Sequence, residues 1–371
     1  MVVGIPKEIK NNEKRVSMIP FGVEDLKKNG HKILIEVDAG IGSGITNEDY
    51  IKSGAEIVGS PEELFNQSDM VVKVKEPQSK EIKYIKNNQI IFTYFHFAAD
   101  RLLTENIVKS KSIAIAYETV QNSDKQLPLL IPMSEVAGRM AVQNGAKCLE
   151  KSMGGKGKLL SGVPGVEPAT VTILGGGIVG MNAAKLAAGL GAKVYILDIN
   201  HQRLKYLDDI MPANVFTLYS NKHTIQKLLP LTDLLIGAVL VVGSKAPNLL
   251  SIDMLKKMTK GSVIVDVSVD QGGCVESCKP TTHENPTYEI DEIIHYCVTN
   301  MPGSVPHTST VSLANTTFPY IKSIANYGYK KAMIKDDSLM KGLNIYNGLI
   351  THQGVANAFN FKYTNPLDIF K

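Results

Sequence analysis

The sequence predicts an α/β protein of two domains with parallel sheets. One is a Rossmann domain and the other a doubly wound domain completed by C-terminal helices. Three observations predict this. The chain has 371 residues, more than one hydrophobic core usually serves. Short apolar, β-branched-rich runs alternate with amphipathic stretches, the pattern of βαβ units. A turn of the form GxGxxG stands between an apolar run and an alanine-rich helical stretch, within "VTILGGGIVGMNAAKLAAGLGAKVYILD".

The elements follow in order. Strands are expected at 2–5, 32–37, 56–59, 70–75, 89–96 and 112–117, with helices at 21–29, 61–67 and 100–109. The stretch "PMSEVAGRMAVQNGAKCLEK" has helical composition, with Ser134 as its expected N-cap, and carries the chain toward a second domain. A Gly- and Pro-rich loop, "GGKGKLLSGVPGVEPA", comes next. A second βαβ series then places strands at 171–174, 194–198, 215–218, 233–237, 263–267 and 295–299. From about residue 307 the pattern is helical to the end. The expected division is 1–130 with 305–371 as the substrate domain, and 131–304 as the dinucleotide-binding domain.

Composition excludes several classes. Lys plus Arg number 40 against 36 acidic residues, a net charge of +4, and no basic run stands out. Nucleic acid is therefore not an expected partner. The longest apolar run, Leu234 to Gly243, is too short to span a bilayer, and the start of the chain reads as a strand rather than a signal peptide. No membrane is expected, and the location is expected to be cytoplasmic. The four cysteines, Cys148, Cys274, Cys278 and Cys297, lack the paired CxxC spacing of zinc sites, so no metal is expected.

The glycine-rich turn carries the first specific chemistry. Gly175 permits the tight turn, Gly177 lets a pyrophosphate approach the backbone, and Gly180 lets helix and strand pack closely. The helix N-terminus offers amide N–H groups and the positive end of a dipole to phosphate. Asp198 closes the next strand, 18 residues after Gly180. A carboxylate there accepts hydrogen bonds from a ribose diol and repels a 2′-phosphate, which favours NAD over NADP.

Polar residues gather where the predicted strands end, the side on which open α/β sheets bind ligands. Arg15 lies in the loop after the first strand, Lys75 ends "MVVKVK", His96 ends "IIFTYFH" and Glu118 follows "SIAIAY". In the second half Asp270 follows "VIVDV" and Asn300 follows "YCVT". If both sheets turn these ends to one cleft, two cations, a histidine and an acid meet near a nicotinamide. His96 is the puzzle among them. An imidazole closing a strand buried on both faces must find partners or cost stability, unless its proton is used there.

Taken together, "GIPKEIKNNEKRVSMIP", "VKVKEP", "TYFHFAAD", "MSEVAGRMAVQNGAKCLEK", "GKGKLLSGVPGV", "VDVSVDQGGCVES", "PTYEIDEIIHYCVTNMPG" and "GLNIYNG" resemble, in order and over the whole length, the bacterial-type L-alanine dehydrogenases. The resemblance implies reversible oxidative deamination of L-alanine by NAD+ to pyruvate, ammonium and NADH. It implies Arg15 and Lys75 as substrate binders, His96 and Asp270 as the catalytic pair, and Met133 and Glu118 close to the substrate. Cofactor contacts are implied at Ser134, Gly175, Gly177, Ile178, Val179, Gly180, Asp198, Arg203, Ser220, Val239 and Leu240. They continue at Val267, Ser268, Val269, Asp270, Lys279, Val298, Thr299, Asn300 and Met301. A homohexamer, or a dimer, is implied as well. Lys279 and His307 stand where the family often has arginine.

Other readings share parts of this pattern. The soluble nucleotide-binding subunit of a proton-translocating transhydrogenase has the same architecture, but needs no amino-acid site. Saccharopine-type reductases need room for a larger substrate. A non-catalytic NAD-sensing protein would have no use for the strand-end cations and histidine.

Overall fold

The β-branched runs at the middle of each sheet form strands because both their faces are covered, as parallel sheets require. The computed structural model describes residues 1–239 and 246–370, with the backbone alone for Asp270 and Gln271. The chain divides into two units, Met1–Met133 with Val305–Lys371, and Ser134–Ser304.

The leading segment of the first unit carries β1 (Val2–Ile5), β2 (Lys32–Glu36), β3 (Glu56–Val58), β4 (Met70–Val72), β5 (Ile90–Thr93) and β6 (Ile113–Ala116). The second unit carries β7 (Thr170–Leu174), β8 (Lys193–Asp198), β9 (Val215–Tyr219), β10 (Leu234–Gly237), β11 (Val263–Asp266), β12 (Thr287–Ile290) and β13 (Ile293–Tyr296). The chain then returns to the first unit with β14 (Leu343–Tyr346) and β15 (Leu349–Ile350).

Both sheets are wound in the same way. The first runs β3-β2-β1-β4-β5-β6 and is extended by β14 and β15; the second runs β9-β8-β7-β10-β11-β13 and is extended by β12. All pairs are parallel except those made by β12, β14 and β15. In each sheet the order reverses direction once, between β1 and β4 and between β7 and β10. Such a switch point opens a crevice at the carboxyl ends of its two strands. The loop after β1 holds Arg15, and the residues just past β4 include Lys73 and Lys75. The loop after β7 holds the GxGxxG glycines.

Helices start where the sequence supplies caps. The Ser60, Asp100 and Asn221 side chains accept from Glu63, Leu103 and Thr224 amides and open the helices Pro61–Gln67, Arg101–Ser110 and Lys222–Leu228. Ser134 does not play this part. The helix Ile131–Cys148 begins three residues earlier, because Pro132 fits a first turn where no amide partner is needed. Ser134 therefore sits inside that helix.

Three further expectations are corrected. The last strand of the second unit is β13, Ile293–Tyr296, earlier than 295–299, and it is preceded by the antiparallel β12. The two are joined through Asp291 and Glu292, both at positive φ (51° and 59°), a primed hairpin turn without its usual Asn or Gly. The C-terminal stretch is not helical to its end. Asn347 and Gly348, at φ 48° and 86°, turn β14 back on β15. Finally, β5 stops at Thr93, paired with Ala116, so His96 lies beyond the strand.

Charge is also buried in the first unit. The Lys73 ammonium is fully buried and meets Glu8 at 3.1 Å and Glu81 at 2.8 Å. Burial works against its charge, but the two carboxylates outweigh it and raise its pKa. Glu8 also accepts from the amides of Val74 at 2.6 Å and Lys75 at 3.3 Å, which fixes the chain as it leaves β4.

Lys73→Met should lower unfolding free energy by about 3–5 kcal/mol, because two buried acids lose their cation. Denaturant unfolding measures this, and a stability equal to the wild type would contradict it. In the second unit a Cβ on Gly138 would lie 2.2 Å from the Val179 carbonyl oxygen. Gly138→Ala should cost about 1–3 kcal/mol by overpacking, seen as a lower thermal midpoint; an unmoved midpoint would show that the two helices have slack.

Candidate active site

In the first unit Lys75 and His96 lie just beyond β4 and β5, Arg15 lies in the loop after β1, and Met133 lies in the first turn of the helix Ile131–Cys148. Arg15 is only 2% exposed. Its Nε donates to Glu13 Oε1 at 2.6 Å and its Nη2 to Glu13 Oε2 at 2.5 Å, a bidentate pair. Its Nη1 donates to the Met133 sulfur at 3.0 Å. Burial alone would raise the Glu13 carboxyl; the bonds and charge of Arg15 hold it below its ordinary value of 4.5. Arg15 is thus not a surface-loop charge, and Met133 does lie against it.

Lys75 is half-buried, with its backbone amide on Glu8 and its carbonyl accepting from the Thr93 hydroxyl at 2.9 Å. Burial first, then repulsion from Arg15 and Lys10, lowers its pKa. An ammonium so disposed gains from an arriving anion, which would relieve that repulsion.

His96 overturns the expectation of a buried imidazole. It is exposed, and its backbone is left-handed at φ 53° and ψ 38°. A non-glycine residue pays about 1–2 kcal/mol for that conformation. Its ring stacks on Tyr94 with centroids 6.0 Å apart and planes 9° apart. Tyr94 itself is buried, donates to the Leu129 carbonyl at 2.5 Å, and lies within electrostatic reach of Arg15. Glu118, in the turn after β6, accepts from the amides of Phe95 at 3.2 Å and His96 at 2.5 Å.

In the second unit the glycines do what their positions require. Gly175 has φ 101°, and a Cβ there would stand 2.6 Å from the Ala238 carbonyl oxygen. A Cβ on Gly180 would fall 1.9 Å from the Gly175 oxygen, whereas Gly177 faces open space. The helix Ile178–Gly189 starts directly after it, with Ile178 and Val179 in its first turn. Asp198 ends β8 and accepts from the amides of Gly176 at 2.7 Å and Asn200 at 2.8 Å. Arg203, in the helix His201–Ile210, reaches back to this turn, its Nε donating to the Gly176 carbonyl at 2.5 Å. This open, amide-lined turn with an acid at its rim fits a dinucleotide.

The remaining proposed contacts also follow strand ends. Ser220 comes after β9, and its amide donates to the Asp198 carbonyl at 2.9 Å. Val239 comes after β10; Leu240 lies outside the described residues. Past β11 the turn Val267–Gln271 carries Val267, Ser268, Val269 and Asp270. The side chain of Asp270 lies outside what is described. Val298, Thr299, Asn300 and Met301 follow β13, with Asn300 left-handed at φ 57°. Lys279 is exposed, its ammonium 5.1 Å from the Tyr288 ring centroid.

Sequence reasoning missed the residues behind the site. Besides Glu8, Glu13 and Lys73 there is Asp266, fully buried, which accepts from Ser268 at 2.8 Å, Cys274 at 2.9 Å and Val275 at 3.3 Å. Its pKa is raised by burial against those bonds. The signal was an acid inside the apolar run "VIVDV". Among the described residues no group of three or more His, Cys, Asp or Glu could hold a metal ion.

Two family models match this chain. One described as alanine dehydrogenase/PNT, N-terminal domain, matches residues 4–137, and one described as alanine dehydrogenase/PNT, C-terminal domain, matches residues 141–353. The alanine dehydrogenase of Methanococcus maripaludis is 55% identical over 365 residues, covering 98% of each chain. A solved L-alanine dehydrogenase superposes with a TM-score of 0.94 at 50% identity, over 97% of this chain and 99% of that one. A transhydrogenase from Sinorhizobium meliloti shares the fold, with a TM-score of 0.81 at 21% identity over 95% of this chain and 99% of that one. The chain belongs to the alanine dehydrogenase/PNT family.

Proposed function

We propose that this chain is an NAD-dependent L-alanine dehydrogenase. It would convert L-alanine, NAD+ and water to pyruvate, ammonium, NADH and a proton, and run the reverse amination. The observation that carries the reading is the grouping in the first unit: a braced guanidinium, an ammonium of lowered pKa and an exposed imidazole stacked on the tyrosine next to them. These suit a small amino acid. An exchange of hydride between two nucleotides needs none of them, and the full-length identity to alanine dehydrogenases also favours the amino-acid reaction over the transhydrogenase and NAD-sensing alternatives.

The Gly175–Gly180 turn, Asp198 and Arg203 would hold the cofactor, with the other second-unit contacts along it. Bound NAD+ supplies the hydride acceptor. An ionised carboxylate has about four lone-pair sites, so Asp198 can receive a ribose diol while keeping its two amides. The chain's own part is positioning and proton transfer. Arg15, braced by Glu13 along one edge of its guanidinium, would grip the substrate carboxylate. Lys75 adds a second positive contact, to the carboxylate and later to the carbonyl oxygen, and Met133 walls the site beside Arg15.

The substrate ammonium first gives up one proton, the one counted among the products; loss of hydride from Cα then leaves an iminium, which water attacks to give a carbinolamine. His96 takes the proton from that water and returns one to the departing ammonia. Asp270 is proposed as the second catalytic group on the family resemblance, as a carboxylate that would stabilise the developing cation. Assembly as a homo-oligomer, a hexamer or dimer by that resemblance, and a cytoplasmic location belong to the same proposal. Among the described residues no helix is long and apolar enough to cross a membrane.

The direct test follows NADH spectrophotometrically with alanine, then with pyruvate plus ammonium. Hydride exchange between nucleotides without either reaction would favour the transhydrogenase reading. His96→Ala should fold, bind NADH and lose ~10²–10⁴-fold in turnover; undiminished turnover would remove His96 from the chemistry. Asp198→Ala should raise the Michaelis constant for NAD and relax the preference against NADP, whereas an unchanged preference would mean that the acid does not read the ribose.

A further inference from the structure

We propose that Glu118 is a positioning residue that acts on the substrate only through His96, by clamping the left-handed turn that aims the imidazole. The inference rests on the alanine dehydrogenase reading, and it changes the part that the family resemblance gave Glu118, that of a substrate neighbour.

The geometry points this way because the carboxylate is turned toward backbone. Both oxygens lie 3.2 Å from the Phe95 amide nitrogen, and Oε1 lies 2.5 Å from that of His96. The β5–β6 ladder has its last register pair at Thr93 and Ala116. Glu118 stands two residues past that pair and takes over where the strand's own hydrogen bonds stop. Successive amides converging on one anion form a nest, and His96 is the left-handed residue within it.

The rest of the turn is fixed by packing. Phe95 and Phe97 are buried and stack at 4.3 Å with planes 13° apart. The helix Gln353–Phe359 packs on the turn Phe97–Ala99, and Tyr94 is tied to the Leu129 carbonyl. With its neighbours anchored, the direction of the His96 side chain depends on the backbone angles of His96 itself. Those angles are what the carboxylate holds.

A double-mutant cycle tests this. Glu118→Gln places an amide NH2 in the nest, so turnover should fall ~10–100-fold from misplacement of the imidazole, with the Michaelis constant for alanine within about threefold. In a His96→Ala background the same substitution should change turnover by less than about twofold, because the group it acts through is gone. Hydrogen exchange at the Phe95 and His96 amides should also quicken in Glu118→Gln, a readout independent of catalysis. An equal loss in both backgrounds, or a raised Michaelis constant at unchanged turnover, would overturn the proposal and return Glu118 to direct contact with substrate. If Glu118→Gln does not fold, Glu118→Asp, which keeps the charge at shorter reach, goes through the same cycle with the same criteria. Alanine-dependent NADH formation by the wild-type chain tests the activity by itself, so an active enzyme with an additive cycle refutes only the role of Glu118.

Discussion

A backbone leaving a parallel strand has amides with no ladder partner, and in this protein carboxylates set behind the strand ends receive them. Glu8 takes the amides of Val74 and Lys75, Glu118 those of Phe95 and His96, and Asp198 those of Gly176 and Asn200. Asp266 takes three, from Ser268, Cys274 and Val275. A buried amide left unpaired costs about 1–3 kcal/mol, and a hydrogen bond to a charged group returns about 1.5–3 kcal/mol. Burying the carboxylate is costly unless several donors reach it. Each acid therefore holds more than one amide, and the turn it holds has little freedom. Glu13 extends the same device to a side chain, gripping the guanidinium of Arg15.

These turns matter because of where winding puts them. Both sheets share one strand order, with one reversal each. At the first reversal the loop after β1 brings Glu8, Glu13 and Arg15 up to the residues that follow β4, Lys73 and Lys75. At the second, Gly175 meets the Ala238 carbonyl, joining the glycine turn after β7 to the chain leaving β10. The sheets have the same plan but hold different chemistry. One gathers buried cations with their acids, suited to a small carboxylate; the other gathers amides and glycines, suited to phosphates and a ribose.

Much of this was legible because burial and periodicity are written locally. Apolar runs such as "VTIL" and "IIFT" could only be central strands, and strand, glycine turn, helix, strand and acid in order specified the Rossmann-type winding of the second unit. What was not legible depended on partners distant in sequence. The strand reading of 89–96 followed apolar residues through Tyr94 and Phe95, which are buried without being paired as strand. Its end is set by β6, and the exposed, left-handed His96 follows from that. Asn347-Gly348 was a readable hairpin signal that a helical reading of the tail passed over, whereas Asp291-Glu292 gives no such signal because the turn lacks glycine. The backing acids look like ordinary loop charges in "GIPKEIKNNEKRV"; only the fold shows Glu13 on Arg15 and Glu8 on Lys73.

We infer that the groups proposed to face the substrate are held from behind and do not rearrange to meet it. A crystal structure of the chain with NADH and pyruvate tests it most directly. In that complex Arg15 should keep Glu13 on its Nε/Nη2 edge while it binds the pyruvate carboxylate, with His96 still left-handed over the Glu118 carboxylate. Arg15 swung off Glu13 to reach the ligand, or Glu118 rotated away from the His96 amide toward pyruvate, would contradict it.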